Sequence, residues 1–161
     1  MFILTAKCGT NVTVDEDVYL KYKNRVITVK DGYPCINSWL VSHKGNRYRA
    51  KQSLHRLILE KKPGLVVDHT NRDKLDNRRV NLRYCRTRDN NRNRTGSDNC
   101  SSMYKGVDFL KDCKLWRARI RTDEGRLSLG RFDSEKGAAL AYNEAAIKYH
   151  GEFDCLNIMD S

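Results

Sequence analysis

Apolar and polar positions along the chain fall into short alternating runs and a few helical stretches. Val26 to Val29, Tyr33 to Leu40 and Arg47 to Ala50 read as strands. Asp31-Gly32 and Lys44-Gly45-Asn46 stand between them as turns, which predicts a small antiparallel sheet within residues 18–50. Ser53 suits the N-cap of a short helix through Glu60, with Leu54, Leu57 and Ile58 on one face and Pro63-Gly64 beyond its end. An apolar run, Leu65 to His69, then ends in Asp-His. The polar stretch Thr70 to Arg79, whose one apolar residue is Leu75, separates it from a second strand, Val80 to Cys85. Thr87 opens a helix running to about Arg94.

Beyond that point the pattern changes. Gly96 to Ser102 is small, polar and aperiodic, which predicts a linker over 96–102. Tyr104 to Val107, Leu115 to Arg121 and Arg126 to Phe132 read as three strands. Ser134 caps a helix in which Ala138, Ala141, Tyr142, Ala145 and Tyr149 recur at helical spacing, and Gly151 stops it. There is no internal repeat. The expected class is α+β: a small N-terminal antiparallel sheet, a strand–loop–strand–helix unit, and a three-stranded antiparallel sheet packed on one helix.

Charge adds a partner to this outline. The 161 residues carry 31 Lys+Arg against 20 Asp+Glu, a formal net charge of +11. Residues 1–50 are net +4, residues 51–95 net +8 and residues 96–161 net −1. Arg78, Arg79, Arg83, Arg86, Arg88, Arg92 and Arg94 crowd one stretch whose single acid is Asp89. Guanidinium forks pair bidentately with phosphate, and released counterions add affinity that ignores sequence, so a nucleic acid is the expected partner. A membrane surface fits less well, because the run lacks a bulky apolar face. No stretch is apolar enough for a membrane span and the first ten residues turn polar too soon for a signal peptide. The six cysteines form no C-x-x-C pair, so no structural zinc is expected, and they read as mostly buried thiols in a reducing, intracellular setting.

The Asp-His pair brings in chemistry. Cleaving a phosphodiester requires an activated water, neutralisation of charge at phosphorus and stabilisation of the departing oxygen, the last two of which suit a hard divalent cation. Asp68 and the Asn90 carbonyl are oxygen donors suited to Mg²⁺ or Mn²⁺. His69 can take a proton near neutral pH. Adjacent strand residues point to opposite faces, so Asp68 and His69 share one centre only if the strand ends or twists there. The amide of Asn81 can tie down the 70–80 loop. His55, in the preceding helix, reads as a packed histidine rather than a chemical group.

The segment VVDHTNRDKLDNRRVNLRYCRTRDNNRNR, with LHRLIL before it, closely resembles the HNH endonuclease family, especially its homing-endonuclease and phage branch. The resemblance implies a ββα-metal fold over about 53–94 in which His69 is the general base. Asp68 and Asn90 would hold one divalent ion and Asn81 would fasten the loop. Asn91 adjoins Asn90 and would replace it after a one-residue shift of helix register. The resemblance also implies 5′-phosphate and 3′-hydroxyl products and a phage-infected bacterial cell as the setting.

A second constellation lies in LWRARIR. Strict alternation puts Trp116, Ala118 and Ile120 on one face and Arg117, Arg119 and Arg121 on the other. Such a strand can enter the major groove, and three arginines on one face call for an anionic partner. YKGV, WRARI and LGRFDSEKGAALAYNEAAIKYHGEFDCLN together resemble the DNA-binding domain of plant APETALA/ethylene-response transcription factors. That resemblance implies a three-stranded sheet in the major groove, with Tyr104, Lys105, Arg117, Arg119 and Arg131 at DNA-contacting positions and Trp116 packing or touching a sugar. FLKDCKL stands where the plant pattern has a basic, Trp-containing segment, so base preference does not carry over.

The expected organisation is a nuclease part over 1–95, a linker over 96–102 and a double-stranded-DNA reader over 103–161. Arg78, Arg79, Arg83 and Arg86 would add affinity. The expected activity is metal-dependent, site-preferring DNA cleavage by a monomer or a dimer, and the rival is a catalytically silent DNA-binding regulator.

Overall fold

The computed structural model describes residues 1–94, 101–151 and 154–159, and the chain divides into two compact units, Met1–Thr87 and Arg88–Ser161. The class is α+β, with small antiparallel sheets in the first unit and a three-stranded antiparallel sheet packed on a helix in the second. Most of the linker expected over 96–102 lies outside the described residues.

The first unit opens with elements the alternation did not announce. Strands β1 (Phe2–Thr5) and β2 (Asn11–Val14) form a hairpin, and α1 (Glu16–Tyr22) packs on β1. Strands β3 (Ile27–Lys30), β4 (Tyr33–Val41) and β5 (Arg47–Ser53) make the expected sheet, in the order β3-β4-β5. Its first turn needs two left-handed residues, and Asp31 and Gly32 adopt φ of 53° and 80°. Helix α2 is shorter than expected, Leu54–Ile58, and the Ser53 side chain makes no cap hydrogen bond. Val12, Val14, Val18, Ile27, Ile36 and Leu54 form the buried core.

Strands β6 (Val66–His69) and β7 (Leu82–Cys85) pair antiparallel, with Asp68 opposite Arg83 and His69 opposite Leu82. The residues before β7, expected as strand from Val80, instead form a 3-10 turn, Arg79–Asn81. The intervening loop docks on β2: the Thr13 N–H donates to the Leu75 carbonyl (2.9 Å) and the Asn77 N–H to the Thr13 carbonyl (2.8 Å). Leu75, its one apolar side chain, packs against the core. Helix α3, Thr87–Arg92, begins at the last residue of this unit and continues into the next.

In the second unit β8 (Val107–Leu110), β9 (Leu115–Arg121) and β10 (Arg126–Phe132) form one sheet with β9 central. The first strand lies three residues later than expected, because Tyr104 turns into the core and Gly106 adopts φ 75° beneath Tyr142. Helix α4 (Glu135–His150) packs across all three strands, and the Ser134 hydroxyl accepts from the Gly137 N–H at 3.1 Å. Its buried face is built from Ala138, Ala139, Tyr142, Ala145, Ala146 and His150, whereas Leu140, Ile147 and Tyr149 are exposed. Small residues inward let the helix sit close on the sheet. Tyr149, expected on the buried face, is thereby displaced from it.

Among the described residues no helix is long and apolar enough to cross a membrane. Cys35, Cys85 and Cys155 are buried, and Cys8 and Cys113 are exposed.

Candidate active site and nucleic-acid interface

Asp68 and His69 are the last two residues of β6, and both are buried. The strand's alternation sends them to different neighbours. Asp68 accepts hydrogen bonds from Arg83 Nε (3.1 Å) and Nη2 (3.0 Å) across the β6–β7 pair. His69 packs into an aromatic cluster, its ring centroid 5.2 Å from that of His55 and 6.0 Å from that of Tyr33. Lys74 Nζ covers the other partner, 4.4 Å from the Tyr33 ring centroid, and donates to the Asp31 carbonyl at 3.0 Å.

This packing sets the protonation state. Burial holds the His69 imidazole below its ordinary pKa, while Asn77 and the carboxylates of Asp68, Asp73 and Asp76 pull the other way. His55 is pushed down to about 4, chiefly by burial and then by the charges of His69 and Arg56. Both rings are therefore neutral near pH 7, the state a proton acceptor needs.

Asn81 holds the loop that follows. Its Oδ1 accepts from the Asn71 N–H (3.0 Å), its Nδ2 donates to the Asp76 carbonyl (2.8 Å), and its own carbonyl accepts from the Thr70 N–H. Asn77, which the pattern did not single out, is fully buried in the same loop and donates to the Lys74 carbonyl at 2.9 Å. A buried asparagine in a polar loop was the available signal, since loops carry such residues to satisfy backbone groups.

The arginine run is mostly neutralised from within. Arg78 forks onto Asp76 through Nε and Nη2, both at 2.7 Å. Arg79 forks onto Asp17 at 2.7 and 2.6 Å and also reaches Asp15. Arg83 is the partner of Asp68, and within the second unit Arg88 and Arg92 share Asp123. Arg86 and Arg94 are exposed with no ion pair to a described residue. For Arg78, Arg79 and Arg83 the structure thus supplies carboxylate partners where the local sequence suggested a bare polyanion-binding surface.

Of the expected metal ligands, Asp68 belongs to the first unit and Asn90, with its neighbour Asn91, to the second. Among the described residues no group of three or more His, Cys, Asp or Glu side chains could hold a metal ion. The donors proposed for one are a carboxylate and a carboxamide, whose oxygens suit a hard divalent cation.

The second unit presents an arginine face. Register pairs place Arg117 beside Arg131 and Arg121 beside Arg126 on the sheet face opposite Trp116, Ala118 and Ile120. Arg126 extends the set beyond the residues the alternation singled out. Asp108, beside Arg117 on β8, accepts from Arg117 Nη2 (2.6 Å) and pairs with Arg119 Nη2 (2.8 Å). Trp116 packs on Phe109, centroids 4.9 Å apart. Two expected DNA contacts are occupied elsewhere. Tyr104 is in the core, and Lys105 is largely buried, bonded to the Arg92 carbonyl and to Asp154. Asp154 also receives the Tyr142 hydroxyl and His150 Nδ1, and burial followed by the Asp154 charge raises the Tyr142 pKa.

Residues 52–92 match the HNH endonuclease family. They span β6, β7 and α3, and HNH nucleases generally use a divalent metal. The chain is also similar over parts of its length to plant DNA-binding proteins. It is 43% identical over 72 residues to dehydration-responsive element-binding protein 2D of Arabidopsis thaliana, which covers 44% of this chain and 34% of that protein. It is 40% identical over 58 residues to APETALA2-like protein 2 of Oryza sativa subsp. indica, covering 36% and 13%. It is 37% identical over 60 residues to AP2-like ethylene-responsive transcription factor TOE2 of Arabidopsis thaliana, covering 37% and 12%. The chain thus spans about a third or less of the length of these relatives. No solved structure matches.

Proposed function

We propose that the chain is a divalent-metal-dependent DNA endonuclease of the site-preferring, homing type, with a nuclease part over 1–95 joined through 96–102 to a major-groove reader over 103–161. The observation that carries this reading is the buried Asp68-His69 pair, held at a strand end by an Asn81-fastened loop inside the HNH-matching segment.

In this reading Asp68 and Asn90 would hold one divalent cation, Mg²⁺ or Mn²⁺, which would supply Lewis-acid stabilisation of charge at phosphorus and at the leaving oxygen. His69 takes the proton of the attacking water, and burial among His55 and Tyr33 keeps its ring neutral and oriented for that task. Arg83 fixes the Asp68 carboxylate across the β6–β7 pair. Asn81 keeps the loop backbone in place beside both. The products are a 5′-phosphate and a 3′-hydroxyl. The face of Arg117, Arg119, Arg121 and Arg131 reads the duplex, with Arg86 adding backbone affinity.

A plasmid-nicking assay with Mg²⁺ or Mn²⁺ tests the reading. Wild type cuts, and His69→Ala loses a factor of about 10² to 10⁴ in rate while binding DNA as before. Binding of duplex without metal-dependent cutting of any DNA tried would replace the nuclease by a DNA-binding regulator, the reading that the names of the plant relatives favour.

A further inference from the structure

The β4–β5 hairpin leaves the core halfway along its length. Pro34, Cys35 and Ile36 are buried, but Trp39 and Val41 are 64% and 66% exposed, and every β5 residue from Arg47 to Arg49 is exposed. Register pairs set Asn37 opposite Lys51, Trp39 opposite Arg49 and Val41 opposite Arg47. These six side chains share one face of the ribbon, because alternate residues and directly paired residues point the same way. Three cations therefore stand every second residue along β5, roughly 7 Å apart, with an indole between them. The Arg47 guanidinium lies 5.7 Å from the Trp39 ring centroid.

No described residue neutralises this row. Among the described residues Arg47, Arg49 and Lys51 form no ion pair, and the sequence holds no acid between Asp31 and Glu60. An exposed tryptophan framed by unpaired cations costs solvation and self-repulsion unless a partner supplies negative charge and a flat surface for stacking. Duplex DNA supplies both, and a two-stranded ribbon fits the width of its major groove. A protein partner would need an acidic surface matched to three evenly spaced charges.

We propose that the β4–β5 ribbon is a second DNA-contacting element, its β5 cations on phosphates and Trp39 against the backbone or a base edge. The proposal rests on the DNA-cleaving reading above and adds a site in the first unit.

The test uses the full chain and a mixed-sequence duplex, with affinity followed by fluorescence anisotropy over a range of salt. Substituting Arg47, Arg49 and Lys51 together by Gln lowers the slope of log affinity against log salt by about 2.7, at about 0.9 per lost phosphate contact. Trp39 gives an independent readout that does not depend on how the triple variant folds. The chain has two tryptophans, so in Trp116→Phe the emission is that of Trp39, and saturating DNA quenches and shifts it. Wild-type binding with an unchanged slope in the triple variant, or Trp39 emission indifferent to DNA, overturns the ribbon while leaving the nuclease reading intact. A wild type that binds no duplex at any salt overturns both.

Discussion

Strands β5 and β9 carry the same device in different states. Each sets three cations on one face by alternation, Arg47, Arg49 and Lys51 in the first unit and Arg117, Arg119 and Arg121 in the second. On β9 two of the three are already held by Asp108, with guanidinium–carboxylate contacts of 2.6 and 2.8 Å. On β5 none is held. Pre-pairing restrains arginines and lowers the charge a phosphate backbone meets, which suits discrimination among bases; bare cations suit affinity that ignores sequence. A net charge per segment cannot see this difference. Residues 96–161 are net negative yet hold the more ordered arginine face, and the arginine-dense stretch around residue 80 is mostly taken up by internal pairs.

The comparison breaks hardest if the second unit's scaffold is removed. A Cβ added at Gly106 would stand 2.1 Å from the Tyr142 ring and 2.6 Å from the Arg119 carbonyl, at φ 75°. Gly106→Ala should cost about 4 kcal/mol, the sum of backbone strain and overpacking. Denaturant unfolding would show it, and DNA discrimination should disappear while the first unit's ribbon still gives salt-sensitive binding. A variant as stable as wild type would mean that α4 does not sit on the sheet as closely as described.

The first unit has a pH-dependent counterpart. The ordinary histidine pKa of 6.5 falls to about 4 for His55 in the fold, so the unfolded chain takes up a proton that the folded one refuses. The resulting stabilisation is complete above pH 6.5 and is lost as pH drops toward 4, up to about 3 kcal/mol in all. Thermal melts of wild type and His55→Phe between pH 7 and pH 4.5 would separate this contribution from those of the paired aspartates, and parallel curves would count against it.

Asn81 gives a smaller effect with a sharper reading. Asn81→Ala leaves the Asn71 N–H and the Asp76 carbonyl without their partner, a loss of about 2 kcal/mol for a buried site. Cleavage should fall while discrimination by the second unit is retained. Equal losses in both would deny the loop its role beside His69.

How much of this could be read beforehand depends on where each partner lies in the chain. The Asp31-Gly32 turn, the alternation of β9 and the Asp-His strand end are local, and the structure has them where the pattern put them. Asn81 was legible as a loop residue with a polar duty, though its two partners needed coordinates. The pairs of Arg79 with Asp15 and Asp17 span more than sixty residues, and no local window connects them. Strands β1 and β2 are four residues each, too short to stand out from their surroundings. Tyr104 entered the core because the chain bends over Gly106, and α4 buries mostly alanines, with Tyr142, while Leu140, Ile147 and Tyr149 stay exposed, because the sheet lies so close. The ribbon on β5 was present in the sequence as clearly as that on β9. What hid it is that only coordinates show its outer half leaving the core.

The smallest effect is also the one that would make the two strands alike. Asp108→Asn keeps shape but removes the charge that holds Arg117 and Arg119. The pair is part-exposed, so stability should drop by no more than about 1 kcal/mol. The freed guanidiniums can each reach a phosphate, which should steepen the salt dependence of non-specific binding by about 1 to 2 in slope. Discrimination between a preferred duplex, selected from a random library, and bulk DNA should shrink in the same variant, because arginines no longer braced by a carboxylate lose the orientation that bidentate base contacts require. Unchanged discrimination with a steeper slope would mean that Asp108 only masks charge. A slope left as it was would mean that the β9 arginines do not face the duplex.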